Sequence, residues 1–300
     1  MRSEEYRRVR MRFIFRPVTG LVISSREARR ILNIYNKGVR GEIHVNVNLS
    51  LSRVPIDINA DDITFPGGYK VTLDDLKLMT RDERGIYLIN NKGIFKLEIR
   101  TERYYYKLAL FPGCRSPTLE ISGIHMHRVS GIDPWDDAKM KILLAGIRRC
   151  HRVLDICTGL GYTAINARIA GACYVLTIEK DENVLKIAQA NPWSRRLADP
   201  QVEIILDDAV DFIRSIEDNS FDVIIHDPPR LSKESGGLYG KEFYRELYRV
   251  LKAHGKLYHY TGEPKKHRGI NIVRSIAKRL HEVGFTVKPV RKALGVIATK

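Results

Sequence analysis

The chain of 300 residues, 44% hydrophobic and 29% charged, has a globular composition with room for two domains, which excludes a disordered chain. No apolar run approaches the roughly 18–20 residues of a membrane helix, so a cytoplasmic protein without membrane association is expected. A formal charge of +16 favours a polyanionic partner held by phosphate neutralisation, and makes nucleic acid the first candidate.

Residues 1–130 read as a β-rich accessory domain. Ser24-Ser25 ahead of Arg26–Leu32, with Gly38 beyond, predicts an N-capped helix stopped by glycine. Val45, Val47, Leu49 and Leu51 alternate with Asn46, Asn48 and Ser50, the period of a half-buried strand, and Val54, Ile56 and Ile58 begin the next. Phe65-Pro66-Gly67-Gly68 bends the chain, and Thr72 ahead of Asp75 starts a second helix. Strands follow over residues 85–89, 94–100 and 104–110, up to a break at Phe111-Pro112-Gly113. Arg100, Arg103 and Lys107 interleave with Tyr104, Tyr105 and Tyr106, which suits nucleic-acid stacking and a strand with one buried face equally. His125 and His127 lack a third ligand at convincing spacing. Cys114, Cys150, Cys157 and Cys173 lack CxxC pairing, so free thiols and no metal are expected.

Over residues 131–300 the rhythm changes to strand, helix, strand, helix, which implies a parallel sheet. Asp133, Asp136 and Asp137 precede a helix they can cap. Strands are expected over residues 152–156, 174–178, 202–206, 223–226 and 256–260, then a helix over 271–283 and a closing pair at 285–290 and 295–299. The first of these strands runs into Cys157-Thr158-Gly159-Leu160-Gly161, where the backbone can approach a ligand at a helix N-terminus. Glu179, closing the second strand, can accept both ribose hydroxyls. Asp155 stands where it attracts an ammonium and disfavours a pyrophosphate. Asp208, after the third strand, offers a side chain to an adenine amino group. The fourth strand ends in Asp227-Pro228-Pro229-Arg230. There a carboxylate and the stiffened Pro228 carbonyl can accept the two N–H bonds of an amine and turn its lone pair toward a sulfonium carbon.

In this order the motifs resemble those of class I S-adenosylmethionine-dependent methyltransferases over residues 152–300. The resemblance implies an α/β fold: a Rossmann-like, seven-stranded, mostly parallel sheet with one antiparallel strand and helices on both faces, preceded by a smaller β-rich α+β domain. It implies S-adenosyl-L-methionine as cofactor, with Asp155, Thr158, Gly159, Gly161, Glu179 and Asp208 lining its site. Asp227, Pro228 and Pro229 would then be the catalytic motif, similar to the Asp/Asn-Pro-Pro-aromatic motif of enzymes that methylate exocyclic amino groups of adenine or cytosine. Arg230 departs from that pattern. No cysteine follows the fourth strand to serve carbon methylation.

Over its whole length the arrangement resembles an archaeal methyltransferase family thought to act on RNA. The implied reaction is methylation of cytidine N4, with ribosomal RNA favoured over transfer RNA as partner and Arg230, Tyr260, Lys265 and Lys266 contacting it. The alternative is a small-amine or protein N-methyltransferase. A small amine calls for an enclosed acidic site, against which Lys265-Lys266-His267-Arg268 argues. Aminopropyl transfer ranks below both, because the glycine motif lacks the extended acidic form of spermidine synthases.

Overall fold

A computed structural model describes residues 12–262 and 272–300. The chain divides into two compact units. One comprises Asp136–Glu182 and Leu197–Lys300 with the segment ending at Phe15; the other comprises Arg16–Trp135 and Asn183–Arg196. Each unit thus draws on both sides of the linear boundary drawn at residue 130.

In the second unit three sheets are built from antiparallel pairs. Leu21–Ser24, Ile86–Asn90 and Gly93–Lys96 form one, and Gly41–Val47, Ser52–Ile58, Asp62–Phe65 and Tyr69–Thr72 a second. Glu98–Arg100, Tyr105–Ala109, Thr118–Ile121 and Ile124–His125 form the third. The helix Ser25–Asn36 is capped by the Ser24 side chain, and Leu73–Thr80 opens on a full capping box between Thr72 and Asp75. Ile31, Val45, Ile56, Ile63, Phe65 and Leu76 pack into its core.

Two expected strands end differently. The alternation through Leu51 stops at Val47, because Asn48, Leu49 and Ser50 take φ of 53°, 55° and 67° and reverse the chain. Asn48 holds that turn by donating its backbone N–H to the Val22 carbonyl and accepting the Val22 N–H at its side-chain Oδ1. The single strand over 94–100 splits at Leu97, whose N–H donates to Ile86 and whose carbonyl accepts from Leu108, so the chain changes sheet there.

The first unit carries eight strands, in the order Arg12–Phe13, Val202–Leu206, Tyr174–Glu179, Arg152–Ile156, Phe221–His226, Leu251–Tyr260, Gly295–Thr299, Thr286–Val290. The five strands from Val202–Leu206 to Leu251–Tyr260 are parallel. The fold is therefore a Rossmann-like α/β sheet, with one correction to the expected seven strands. Arg12–Phe13 adds an eighth, antiparallel edge strand beside Val202–Leu206, with Arg12 opposite Ile205. A two-residue strand leaves too short a period for its sequence to announce it. Gly295–Thr299 is antiparallel to Leu251–Tyr260, as a closing pair requires.

Continuous apolar runs such as Val223-Ile224-Ile225 build the middle strands, as a sheet covered on both sides demands. From Arg152–Ile156 the chain winds outward through Tyr174–Glu179 to Val202–Leu206, then crosses to Phe221–His226 and winds the other way. With right-handed crossovers, that reversal leaves a crevice between Arg152–Ile156 and Phe221–His226 at their carboxyl ends. Among the described residues no helix is long and apolar enough to cross a membrane.

Candidate functional site

Five neighbouring parallel strands present a polar side chain at their carboxyl ends: Asp155, Glu179, Asp208, Asp227 and Tyr260. The crevice lies between the strands carrying Asp155 and Asp227. Cys157 and Gly159 take φ of 71° and 54° in the turn beyond Asp155, and Gly161 takes 74° where it caps the helix Tyr162–Ile169. A Cβ at Gly161 would press into the side chain of Leu197 and carry a left-handed φ, so this position favours glycine. Thr158 is buried, its hydroxyl 2.6 Å from that of Thr177.

Glu179 is tied to this turn. One of its oxygens accepts the Gly159 N–H at 3.0 Å, and the other accepts the N–H groups of Lys180 and Asp181 at 3.0 and 3.1 Å. Burial pushes its carboxyl above the ordinary range despite these bonds. Asp208 is the N-cap of the short helix Ala209–Phe212, accepting from Val210 N–H at 2.9 Å.

Asp155 is fully buried. Its Oδ2 accepts from Thr177 at 2.7 Å, whereas Oδ1 has no hydrogen-bond partner among the described residues. Burial pushes its pKa up to about 7, against the pull of its hydroxyl partners. An orphaned carboxylate oxygen in a closed position costs stability unless a donor meets it.

Asp227 faces the same crevice and joins an arrangement that sequence reasoning missed. Lys141, on the helix Pro134–Ala145, places its ammonium 2.6 Å from Asp227 and 3.0 Å from Asp137, one helical turn back, with its Nζ 4.9 Å from the centre of the Tyr260 ring. The Lys141 and Asp137 side chains are only 6% and 3% exposed, while Asp227 keeps 21%, so Asp227 is the member a ligand can reach. Burial alone would push the Lys141 ammonium down; Asp227 and Asp137 more than offset it, and its pKa is raised. Burial likewise lifts Asp227 above the usual carboxylate range, with Lys141 opposing. The available signal was the i, i+4 spacing of Asp137 and Lys141, which reads as an ordinary surface pair until the helix is placed against the sheet. Of the acids at this helix start, Asp133 is the one that caps, accepting the Trp135 N–H at 3.0 Å.

Behind Asp227 the Pro-Pro turn is fastened. The Pro229 carbonyl accepts the Tyr239 hydroxyl at 2.7 Å, and the Tyr239 carbonyl accepts from Arg279 at 2.6 Å. Pro228 is buried, whereas the Arg230 side chain is exposed, with its carbonyl bonded to Ser235. His226 and His259, opposite each other on adjacent strands, stack 4.3 Å apart in the core. Burial holds the His226 pKa down at about 4, so its neutral Nε2–H donates to the Leu238 carbonyl. Lys265 and Lys266 lie outside the described residues.

Residues 174–297 match the model of the spermine/spermidine synthase domain. The chain is 43% identical over 280 residues to the Methanocaldococcus jannaschii protein MJ1233, itself uncharacterised, covering 93% of this chain and 95% of that one. It is 31% identical over 207 residues to a polyamine aminopropyltransferase of Prochlorococcus marinus, covering 66% of this chain and 68% of the relative. The chain belongs to the polyamine aminopropyltransferase family. Family membership makes it an enzyme, and its fold is similar to that of a spermidine synthase solved with the transition-state analogue AdoDATO, with a TM-score of 0.55 at 21% identity, covering 68% of this chain and 72% of that one. The Thermotoga maritima spermidine synthase gives 0.53 at 20% identity, covering 70% and 75%.

This family membership overturns the expected reaction. Methylation of an RNA base, S-adenosyl-L-methionine as methyl donor and RNA as partner give way to polyamine chemistry. The ranking of aminopropyl transfer below methyl transfer falls with them. The turn Cys157–Gly161 is held by its backbone conformation and by the Gly159 N–H bond to Glu179. Asp137, Asp155 and Asp227 give this end of the sheet an acidic character that does not depend on the glycine motif.

Proposed function

We propose that the protein transfers an aminopropyl group from decarboxylated S-adenosylmethionine to an amine nitrogen of a small aliphatic polyamine. The carrying observation is the acidity of the crevice: Asp137 and Asp227 share the one ammonium of Lys141, and Asp155, with its pKa at about 7, adds a third carboxyl group that a bound cation would ionise, in a protein of net charge +16. That balance favours cationic ligands and opposes one bearing its own carboxylate. Asp155, closed to solvent, would act on the donor's ammonium through its charge, while Asp227, 21% exposed, is the carboxylate that a cationic group can meet. Glu179 would accept the ribose hydroxyls, Asp208 the adenine amino group, and the Cys157–Gly161 turn would line the nucleoside.

When bound, the donor supplies a sulfonium-activated methylene carbon. The acceptor nitrogen's lone pair forms the new C–N bond, the C–S bond breaks, and its electron pair stays on the sulfur of a neutral thioether. Asp227 accepts an acceptor N–H and then takes the proton that the alkylated nitrogen must lose. Lys141 holds Asp227 in place and favours its ionised form. Tyr239, Arg279 and His226 fix the turn that carries it.

Calorimetric titration with S-adenosylmethionine and its decarboxylated form tests the charge argument. The decarboxylated form is expected to bind about tenfold tighter or more, equivalent to ~1.4 kcal/mol. Asp155→Asn should erase most of that difference. Equal affinity, or preference for the carboxylated donor, would remove the basis of the proposal.

A further inference from the structure

Two exposed cysteines meet at the opposite, amino-terminal ends of the strands that carry the donor turn. Cys150 lies just before Arg152–Ile156 and Cys173 just before Tyr174–Glu179, strands paired with Arg152 opposite Tyr174. Two backbone bonds tie the lead-in segments together: Cys150 N–H to the Gly171 carbonyl at 2.9 Å, and Cys173 N–H to the His151 carbonyl at 3.0 Å. The Cys150 thiol is near enough to Cys173 to push the Cys173 thiol up. Gly171 makes the approach possible, since its φ is 104° and a Cβ there would stand 3.3 Å from the Arg149 Cα. Cys150 itself sits at φ 65°, a left-handed conformation that a branch at Cβ disfavours and the surrounding bonds must enforce.

We infer that Cys150 and Cys173 form a reversible intramolecular disulfide on exposure to a low-molecular-weight disulfide. The register that pairs Arg152 with Tyr174 sets Cys173 level with His151, so Cys150 and Cys173 are diagonal neighbours on adjoining segments, a spacing compatible with the roughly 4.4–6.8 Å between Cα atoms that a disulfide spans. The neighbouring Cys150 thiol and desolvation hold the Cys173 thiol above its usual range, with Arg168 and Arg149 opposing, so exchange runs through a thiolate fraction that mildly alkaline pH enlarges. The thiolate attacks the small disulfide, forming a mixed disulfide and releasing one thiol. The Cys150 thiolate then displaces the second, so two protein thiols are oxidised, two protons are released to solvent or to the departing thiolates, and one small disulfide is reduced to two thiols. The other two cysteines are protected: Cys114 is buried, and burial raises the Cys157 thiol far above its usual range.

The bond would close a ring of roughly two dozen residues around the strand Arg152–Ile156, the donor turn and the helix Tyr162–Ile169, narrowing the unfolded ensemble. Treatment of the reduced full-length protein with oxidised glutathione, followed by intact-mass analysis, peptide mapping and thermal unfolding, tests the inference. The expected product has lost two hydrogens, yields a cross-linked peptide pair containing Cys150 and Cys173, and melts about 5–10 °C higher. Cys173→Ser and Cys150→Asn, the latter chosen because asparagine tolerates φ of 65°, should each leave a stable glutathione adduct on the remaining thiol and no rise in melting temperature. Stable glutathione adducts on both wild-type thiols, a cross-link between two chains, or no reaction at either residue would each overturn it.

Discussion

Asp227→Asn is expected to reduce kcat by about 10²–10⁴-fold while leaving donor affinity within a few-fold of the wild type. The amide keeps the shape of the side chain and can still accept one hydrogen bond, so the loss isolates the proton-accepting role. The pH profile separates this from simple disruption. Asp227 acts when ionised, and burial raises its pKa above the ordinary 3.8. The acid limb of kcat/KM in the wild type should therefore fall through a pH higher than an exposed aspartate would give, and the limb should vanish in the variant. Equal loss of donor binding and turnover, with the limb retained, would assign the proton elsewhere.

Lys141→Met should destabilise the protein by about 3–5 kcal/mol, because it strands the Asp137 and Asp227 carboxylates without their shared cation. The sign of the catalytic effect follows from the same geometry. Lys141 lowers the Asp227 pKa, so its removal raises that pKa further and moves the acid limb of the profile to higher pH. The double variant Lys141→Met/Asp137→Asn should recover part of the stability, since only one buried carboxylate then lacks a partner, while the limb stays displaced. A Lys141→Met protein as stable as the wild type, with an unmoved limb, would show that the ammonium is not the partner of these acids.

The strand-end positions of this crevice were legible in the sequence because each sits at a place that the fold repeats. Asp155, Glu179 and Asp208 close consecutive strands whose apolar runs announce them, and the backbone turn between Cys157 and Gly161 needs its glycines. Arg152–Ile156, Val202–Leu206 and Gly295–Thr299 agree with the expected spans to the residue. Lys141 was not legible, because its role depends on a helix outside the repeating pattern meeting the end of Phe221–His226. The edge strand Arg12–Phe13 and the sheet change at Leu97 were hidden for a related reason: both are decided by distant backbone partners.

The misread reaction has a physical cause as well. Asp227-Pro228-Pro229, read as holding a nitrogen nucleophile near a sulfonium, would serve methyl and aminopropyl transfer alike. A sulfonium offers more than one carbon to attack, and the choice depends on how the donor is oriented and on whether its arm carries a carboxylate. The strand-end motifs are silent on both points. Net charge misled in a similar way, because a value summed over the chain does not describe a crevice lined by Asp137, Asp155 and Asp227.

The central claim is settled by which carbon group moves. The purified protein, supplied with decarboxylated S-adenosylmethionine or with S-adenosylmethionine and a panel of diamines and polyamines, can be read by mass spectrometry of the products. The account predicts an amine heavier by one aminopropyl unit and a stoichiometric thioether nucleoside, formed with the decarboxylated donor alone; a methylated amine, or no transfer to any amine by protein that demonstrably binds the donor, would contradict it.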